Sequence, residues 1–166
     1  MYQVSFDKPI HVHFIGIGGI SMSALAHILL NRGFTISGSD SHESPITDEL
    51  EAAGMKISYP QSADNITDDI DLVVYTAAIS EDNPELIAAR ESRAALLTRA
   101  ELLGEIMDNY SRSIAVAGTH GKTTTTSMVS HILMSAEADP TVTVGGILHS
   151  IGGNYRIGAS DVFLAE

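Results

Sequence analysis

Short apolar runs alternate with amphipathic segments along the chain. His11 to Ile15 is a compact apolar run ending at Gly16; from Ser21 to Arg32, Met22, Leu25, Ala26, Leu29 and Leu30 recur at helical spacing. Gly33 stands where such a helix would close in left-handed backbone. Thr35 to Ser37 predicts a second strand leading into Gly38, Ser39 and Asp40. Ser44 followed by Pro45 predicts a helix N-cap with proline in the first turn, and Gly54 ends that helix. Lys56 to Tyr59 and Leu72 to Tyr75 predict two further strands, the second apolar enough to be buried on both faces of a parallel sheet. Asn83, Pro84 and Glu85 open a helix that runs to Arg93, Ala95 to Leu97 predicts a fifth strand, and Thr98 with Glu101 reads as a capping box.

The polar segment Asp108 to Ser113 interrupts this rhythm and predicts a linker, dividing the chain into domains 1–108 and 109–166. Beyond it, Ile114 to Ala117 predicts a strand, Gly118 to Lys122 a turn, and Thr123 to Ala136 a helix with Met128, Val129, Ile132 and Leu133 on one face. Thr141 to Val144 and Val162 to Ala165 predict the remaining strands. Alternating strands and helices imply an α/β fold with a mainly parallel sheet and right-handed crossovers. One helix cannot cover both faces of the second sheet, so that domain reads as incomplete, with an edge that invites pairing between copies.

Composition narrows the partners. The 166 residues are 44% apolar and 18% charged, enough for one good core or two small ones. A formal charge of −12 opposes nucleic acid and anionic membranes, so any phosphate site must be local, built from backbone N–H groups and single cations. Cysteine is absent, which excludes disulfides and thiolate metal sites. No apolar run reaches the roughly 18 residues of a membrane span, and the expectation is a soluble, cytoplasmic protein.

Two glycine-rich joints carry the candidate chemistry. Gly16, Gly18 and Gly19 lie between a strand and a helix, where close backbone approach and a helix N-terminus suit a diphosphate. The dinucleotide fingerprint GxGxxG would need a third glycine where Ser21 stands, while Asp40 occupies the place of a ribose-binding carboxylate. Spacing alone therefore points to a nucleotide without saying which. The second joint, AVAGTHGKTTTT from Ala115 to Thr126, also follows a strand and opens a helix, the setting of a phosphate-binding loop. There Lys122 can reach β and γ phosphates, and the Thr123 hydroxyl can bind Mg2+. The common GxxxxGK[ST] spacing would need a glycine at Val116; Gly118 instead precedes Gly121 by three positions.

His11 and His13 share one side of the first strand, but two ligands are too few for a metal centre, and a structural role is expected. His27 and His131 read as packing or surface residues. The acidic stretch Asp64 to Asp71 lacks the glycine and bidentate glutamate of a calcium loop and reads as a solvated turn.

GTHGKTTTT resembles the ATP loop of the Mur ligases, the ATP-dependent amide-forming enzymes of peptidoglycan synthesis, and HFIGIGGISMSALA resembles the N-terminal loop of one member. GSD (Gly38 to Asp40), TAAI (Thr76 to Ile79), TRAELL (Thr98 to Leu103) and GGN (Gly152 to Asn154) follow in the family's order. The resemblance implies a Rossmann-like UDP-sugar-binding domain followed by an incomplete P-loop ATPase-type central domain. It implies UDP-sugar contacts from Gly16, Gly18, Gly19, Ile20, Ser21, Ser39, Asp40, Thr76, Ala77 and Asn154. ATP contacts would come from Gly118, Thr119, His120, Gly121, Lys122, Thr123 and Thr124. Lys122 would be catalytic, neutralising the transferring phosphoryl group, and Thr123 with Glu166 would hold Mg2+. The implied substrates are UDP-N-acetylmuramate, ATP and L-alanine, joined through an acyl phosphate. The family's third domain is not represented, so no ligation is expected from this stretch alone. Two other readings stay open: a ligase that recycles peptides onto the same UDP-sugar, and a nicotinamide oxidoreductase, which would leave the Lys122 loop idle. A GTPase would need an NKxD motif that is missing.

Overall fold

A computed structural model describes residues 2–166, which divide into two compact units, 2–105 and 106–166. The first unit runs β1 (His11–Ile15), α1 (Ile20–Asn31), β2 (Thr35–Ser39), α2 (Pro45–Ala52), β3 (Lys56–Ser58), a 3-10 turn (Ala63–Asn65), β4 (Leu72–Tyr75), α3 (Pro84–Glu91) and β5 (Ala95–Thr98). It ends within α4 (Arg99–Asp108). The five strands are all parallel in the order β3-β2-β1-β4-β5. Chain order therefore reverses at β1. The carboxyl ends of β1 and β4 flank the crevice where α/β sheets bind ligands.

Alternation along β1 splits its side chains between the two faces. Val12 and Phe14 point one way, His13 and Ile15 the other, and all four are buried. Ile15, Val73 and Ile70 pack against Leu86 and Ala89 of α3. Both expected caps form. The Ser44 hydroxyl accepts from the Thr47 N–H at 3.2 Å while Thr47 Oγ1 accepts from the Ser44 N–H at 2.8 Å. Thr98 Oγ1 accepts from the Glu101 N–H, and Glu101 returns its carboxylate to the Thr98 N–H at 2.7 Å. Strand β2 runs two residues further than its apolar pattern suggests. Gly38 and Ser39 lack apolar side chains but continue the ladder opposite Phe14 and Ile15.

The second unit holds β6 (Arg112–Ala115), α5 (Lys122–Ser135), β7 (Thr141–Leu148), a 3-10 turn (His149–Ile151), β8 (Gly153–Arg156) and β9 (Val162–Ala165). Its sheet order is β6-β9-β7-β8, parallel except for the β7/β8 hairpin. Three sequence expectations are corrected here. First, β6 begins at Arg112, inside the expected linker, because Arg112 pairs in register with Val162 and its guanidinium bonds Asp161 at 2.5 Å. Second, β8 was not expected: GNYR has no apolar alternation, and its strand form comes from pairing with β7. Third, only Val129 and Leu133 of α5 pack against the core of Val142, Val144 and Leu164, while Met128 and Ile132 are exposed. Tyr110 stacks on Phe163 at 4.9 Å between ring centroids and closes the core at the other end of the strands. No described helix is long and apolar enough to cross a membrane.

Candidate functional site

The first glycine loop leaves β1 at Gly16, whose φ of +82° is left-handed backbone that favours glycine. Its N–H groups are held from within the chain. Gly16 and Ile17 both donate to the Ser39 carbonyl, at 2.9 and 3.0 Å; Gly18 donates to Asp40 Oδ2 at 2.8 Å; Gly19 donates weakly to Gly16 at 3.3 Å. The first turn of α1 follows, with no side-chain cap at Gly19. Ser21 and Met22 stand in the first turn of α1, where an α-helix offers its N–H groups no intrahelical acceptor and its positive end favours an anion.

A cleft of about 540 Å³ opens over this loop, lined by Gly16, Gly18, Gly19, Asp40 and Thr76 together with Ser41, His42, Glu43, Ser44, Gln61, Ala78 and Ile79. Five of the residues expected from sequence thus meet in one cleft. Ile20 is 44% exposed at the helix start and Ser21 follows it. Ser39 lies beneath, fully buried, and touches the loop through its carbonyl. Ala77 lines an adjoining hollow with Tyr75, Thr98 and Arg99. Asn154 lies on β8 in the second unit. Asp40 has a second task besides any ribose contact, since Oδ2 accepts from Gly18 and Oδ1 from the Ser41 N–H at 2.7 Å. Sequence reasoning missed the rim from Ser41 to Ser44 and Gln61. The only signal for them was the polar run after the second strand; Gln61 is placed by the Asn83 amide, which donates to it at 3.0 Å.

His11 and His13 lie on one face of β1, as expected, and both are hydrogen-bonded to side chains. No group of three or more metal-ligating side chains occurs among the described residues. His27 is half-buried on α1, and burial pulls its imidazole below the ordinary value.

The second loop joins β6 to α5. Gly121, at φ +74°, forms the N-cap of α5 without a side-chain bond, so the helix presents its first N–H groups outward. Lys122 Nζ donates to the Gly118 carbonyl at 2.9 Å and closes the loop on itself. Thr123 Oγ1 donates to Glu166 Oε1 at 2.8 Å, and the other oxygen of Glu166 accepts from the Gly145 N–H at 3.3 Å. The β6/β9 pairing sets this contact, because the Val116 N–H donates to the Ala165 carbonyl at 2.8 Å and brings Glu166 beside the loop. A hydroxyl and a carboxylate on facing elements are hard oxygen ligands that suit Mg2+, which takes one or two protein oxygens and keeps several waters. Gly118, Thr119, His120 and Thr124 are exposed around Lys122.

A parallel sheet with a glycine loop at its switch point, followed by a second unit built round a glycine-lysine-threonine loop, defines a two-unit α/β protein with a helix start exposed in each unit. The chain belongs to the Mur ligase family: residues 11–111 match the family's catalytic-domain model and residues 116–160 its middle-domain model. Over all 166 residues it is 68% identical to the UDP-N-acetylmuramate--L-alanine ligase of Agathobacter rectalis and 66% to that of Lachnospira eligens, and it spans 36% of the length of each. Among solved structures it resembles the UDP-N-acetylmuramate-alanine ligase of Thermotoga maritima, at 40% identity and a TM-score of 0.84, covering 94% of this chain and 36% of that one. It also resembles the UDP-N-acetylmuramate:L-alanyl-gamma-D-glutamyl-meso-diaminopimelate ligase of Neisseria meningitides, at 29% identity and a TM-score of 0.86, covering 96% and 52%.

Proposed function

We propose that this chain carries the UDP-sugar-binding unit and the first part of the ATP-binding unit of a cytoplasmic ligase. The ligase joins L-alanine to the lactyl carboxylate of UDP-N-acetylmuramate. The domain boundary proposed from sequence, 108/109, falls at the carboxyl end of α4 (Arg99–Asp108). The observation that carries the reading is the contact between Thr123 and Glu166 beside Lys122, which gathers a lysine and two hard oxygen ligands of the kind magnesium takes at one helix start. A dehydrogenase has no use for that arrangement.

The chemistry follows from charge. A carboxylate resists an amine because its oxygen leaves poorly, so transfer of the γ-phosphoryl of ATP to it must come first; amine attack on the acyl phosphate then expels phosphate. Lys122, released from the Gly118 carbonyl, would neutralise charge on the transferring phosphoryl group. Thr123 and Glu166 would hold Mg2+, which offsets the negative charge of the β and γ oxygens. Gly121 and the first turn of α5 supply N–H donors to the same phosphates. In the first unit, Ser21 and Met22 at the start of α1 would grip the UDP diphosphate, with Asp40 and Thr76 on the cleft walls beside the ribose and sugar.

Identities of 66% and 68% to L-alanine ligases, against 29% to the peptide-adding ligase, support L-alanine as the amine. Calorimetric titration with UDP, NAD+ and ATP with magnesium tests the reading. UDP binding without NAD+ binding is expected, with no ADP release when ATP, magnesium, UDP-N-acetylmuramate and L-alanine are added together to this stretch alone. Preference for NAD+ would refute it. Self-association through the β6 edge is part of the same proposal and would be seen as a dimer in light scattering.

A further inference from the structure

The core of the first unit contains a polar file that the nucleotide reading does not use. On the α3 face of the sheet, His13 Nε2 donates to Glu85 Oε1 at 2.7 Å, and Ser39 Oγ donates to Glu85 Oε2 at 2.6 Å. Behind them, Ser37 Oγ lies 2.8 Å from His13 Nδ1 and 2.8 Å from His11 Nε2, and His11 Nδ1 reaches Asp69 at 3.0 Å. Glu85 and Ser39 are fully buried and His13 is 2% exposed.

A buried carboxylate and imidazole are a poor way to stabilise a core, since apolar side chains of similar volume commonly do as well or better. Their placement is informative. Glu85 sits in the first turn of α3, where the helix dipole favours a negative charge, and both of its oxygens are satisfied. Its second oxygen fixes the Ser39 side chain, and the Ser39 carbonyl accepts the N–H groups of Gly16 and Ile17. The next residue, Asp40, takes the N–H of Gly18. Three successive loop amides are therefore held by two residues at the tip of β2, and that tip is held from below by Glu85.

We propose that Glu85, braced by His13, is a positioning residue for the first glycine loop: it clamps the end of β2 through Ser39 and thereby aims the start of α1 at the diphosphate. The ligand half of this inference rests on the UDP reading of the cleft; the clamp itself does not. In Glu85→Gln the side-chain oxygen can accept from only one of His13 and Ser39, and the amide presents a donor to the other. Ser39→Ala removes the contact from the opposite side with a smaller change. Glu105→Gln is the control, because Glu105 is a buried carboxylate of the same unit whose Oε2 accepts from the Val4 N–H at 3.0 Å, away from the loop.

The experiment measures amide exchange at Gly16, Ile17 and Gly18 by NMR, together with UDP affinity by calorimetry, in the full chain and the three variants. Glu85→Gln and Ser39→Ala are expected to speed exchange at those amides by about tenfold and weaken UDP binding by about five- to tenfold, the scale of the net contribution of one hydrogen bond. Glu105→Gln should leave both unchanged. Unaltered loop exchange in Glu85→Gln and Ser39→Ala, or an equal change in Glu105→Gln, would overturn the clamp and reduce Glu85 to a core residue. Absence of UDP binding in the unsubstituted chain would instead refute the nucleotide reading, and the exchange data would still decide the clamp.

Discussion

Replacing Gly38 by alanine should loosen the first glycine loop from below. A Cβ built there would lie 2.7 Å from Ile17 Cδ1, 2.8 Å from Ile17 Cβ and 2.8 Å from the Phe14 carbonyl oxygen. Ordinary contact begins at 3.4 Å, so the neighbours must retreat by 0.6–0.7 Å, the difference between these distances. None can do so cheaply. Ile17 is fully buried and branched at Cβ, and the Phe14 oxygen belongs to the strand opposite Gly38 in the ladder. Overpacking of this kind costs about 1–3 kcal/mol, and displacement of backbone puts Gly38→Ala at the upper end, about 3 kcal/mol. For a unit of this size that lowers the midpoint of thermal unfolding by about 10–20 °C. Because Ile17 is part of the loop, UDP affinity should fall by about tenfold as well. Differential scanning calorimetry and UDP titration of the purified variant measure the two effects. A midpoint within two or so degrees of the parent with unchanged UDP affinity would show that the β2 tip does not support the loop.

Gly104→Ala on α4 is the contrasting substitution: nothing lies within 4 Å of the added methyl, and the change should stabilise by about 0.5–1 kcal/mol, read as a raised unfolding midpoint. Thr126→Val and Ser130→Ala on α5 remove buried hydroxyls that have no hydrogen-bond partner among the described residues and should be neutral or stabilising by about 1 kcal/mol in denaturant titration. Glu166→Gln should weaken magnesium-dependent ATP binding by about tenfold while leaving UDP binding intact, a split that calorimetry resolves. Asp161 has its carboxyl lowered from 3.8 to about 2, chiefly by the Arg112 hydrogen bond and then by that from Ser111. A depressed folded value means that the contribution of Asp161 is present above pH 3.8 and lost as pH falls toward 2; Asp161→Asn should flatten the acid limb of unfolding in that window.

Much of the architecture was legible in the chain because local rules and the fold agree. The apolar runs of β1 and β4, the caps at Ser44 and Thr98 and the glycine-rich joints each carry a local reason for their structure, and each formed as expected. Where the local signal was weak, the sequence misplaced or missed the element. Arg112 and Ser113 look like linker and GNYR looks like loop, yet both are strands because partners in β9 and β7 supply their hydrogen bonds.

The same division holds for the sites. By themselves the residues determined that two helix starts could hold anions, since glycine spacing and a lysine-threonine pair are features of contiguous chain. Only the tertiary structure decided which distant groups serve them: Glu166 against Thr123 across 43 positions, Asp40 against Gly18 across 22, and Glu85 beneath Ser39 across 46. Strand register and helix packing make those contacts, and neither is encoded within the few residues that touch.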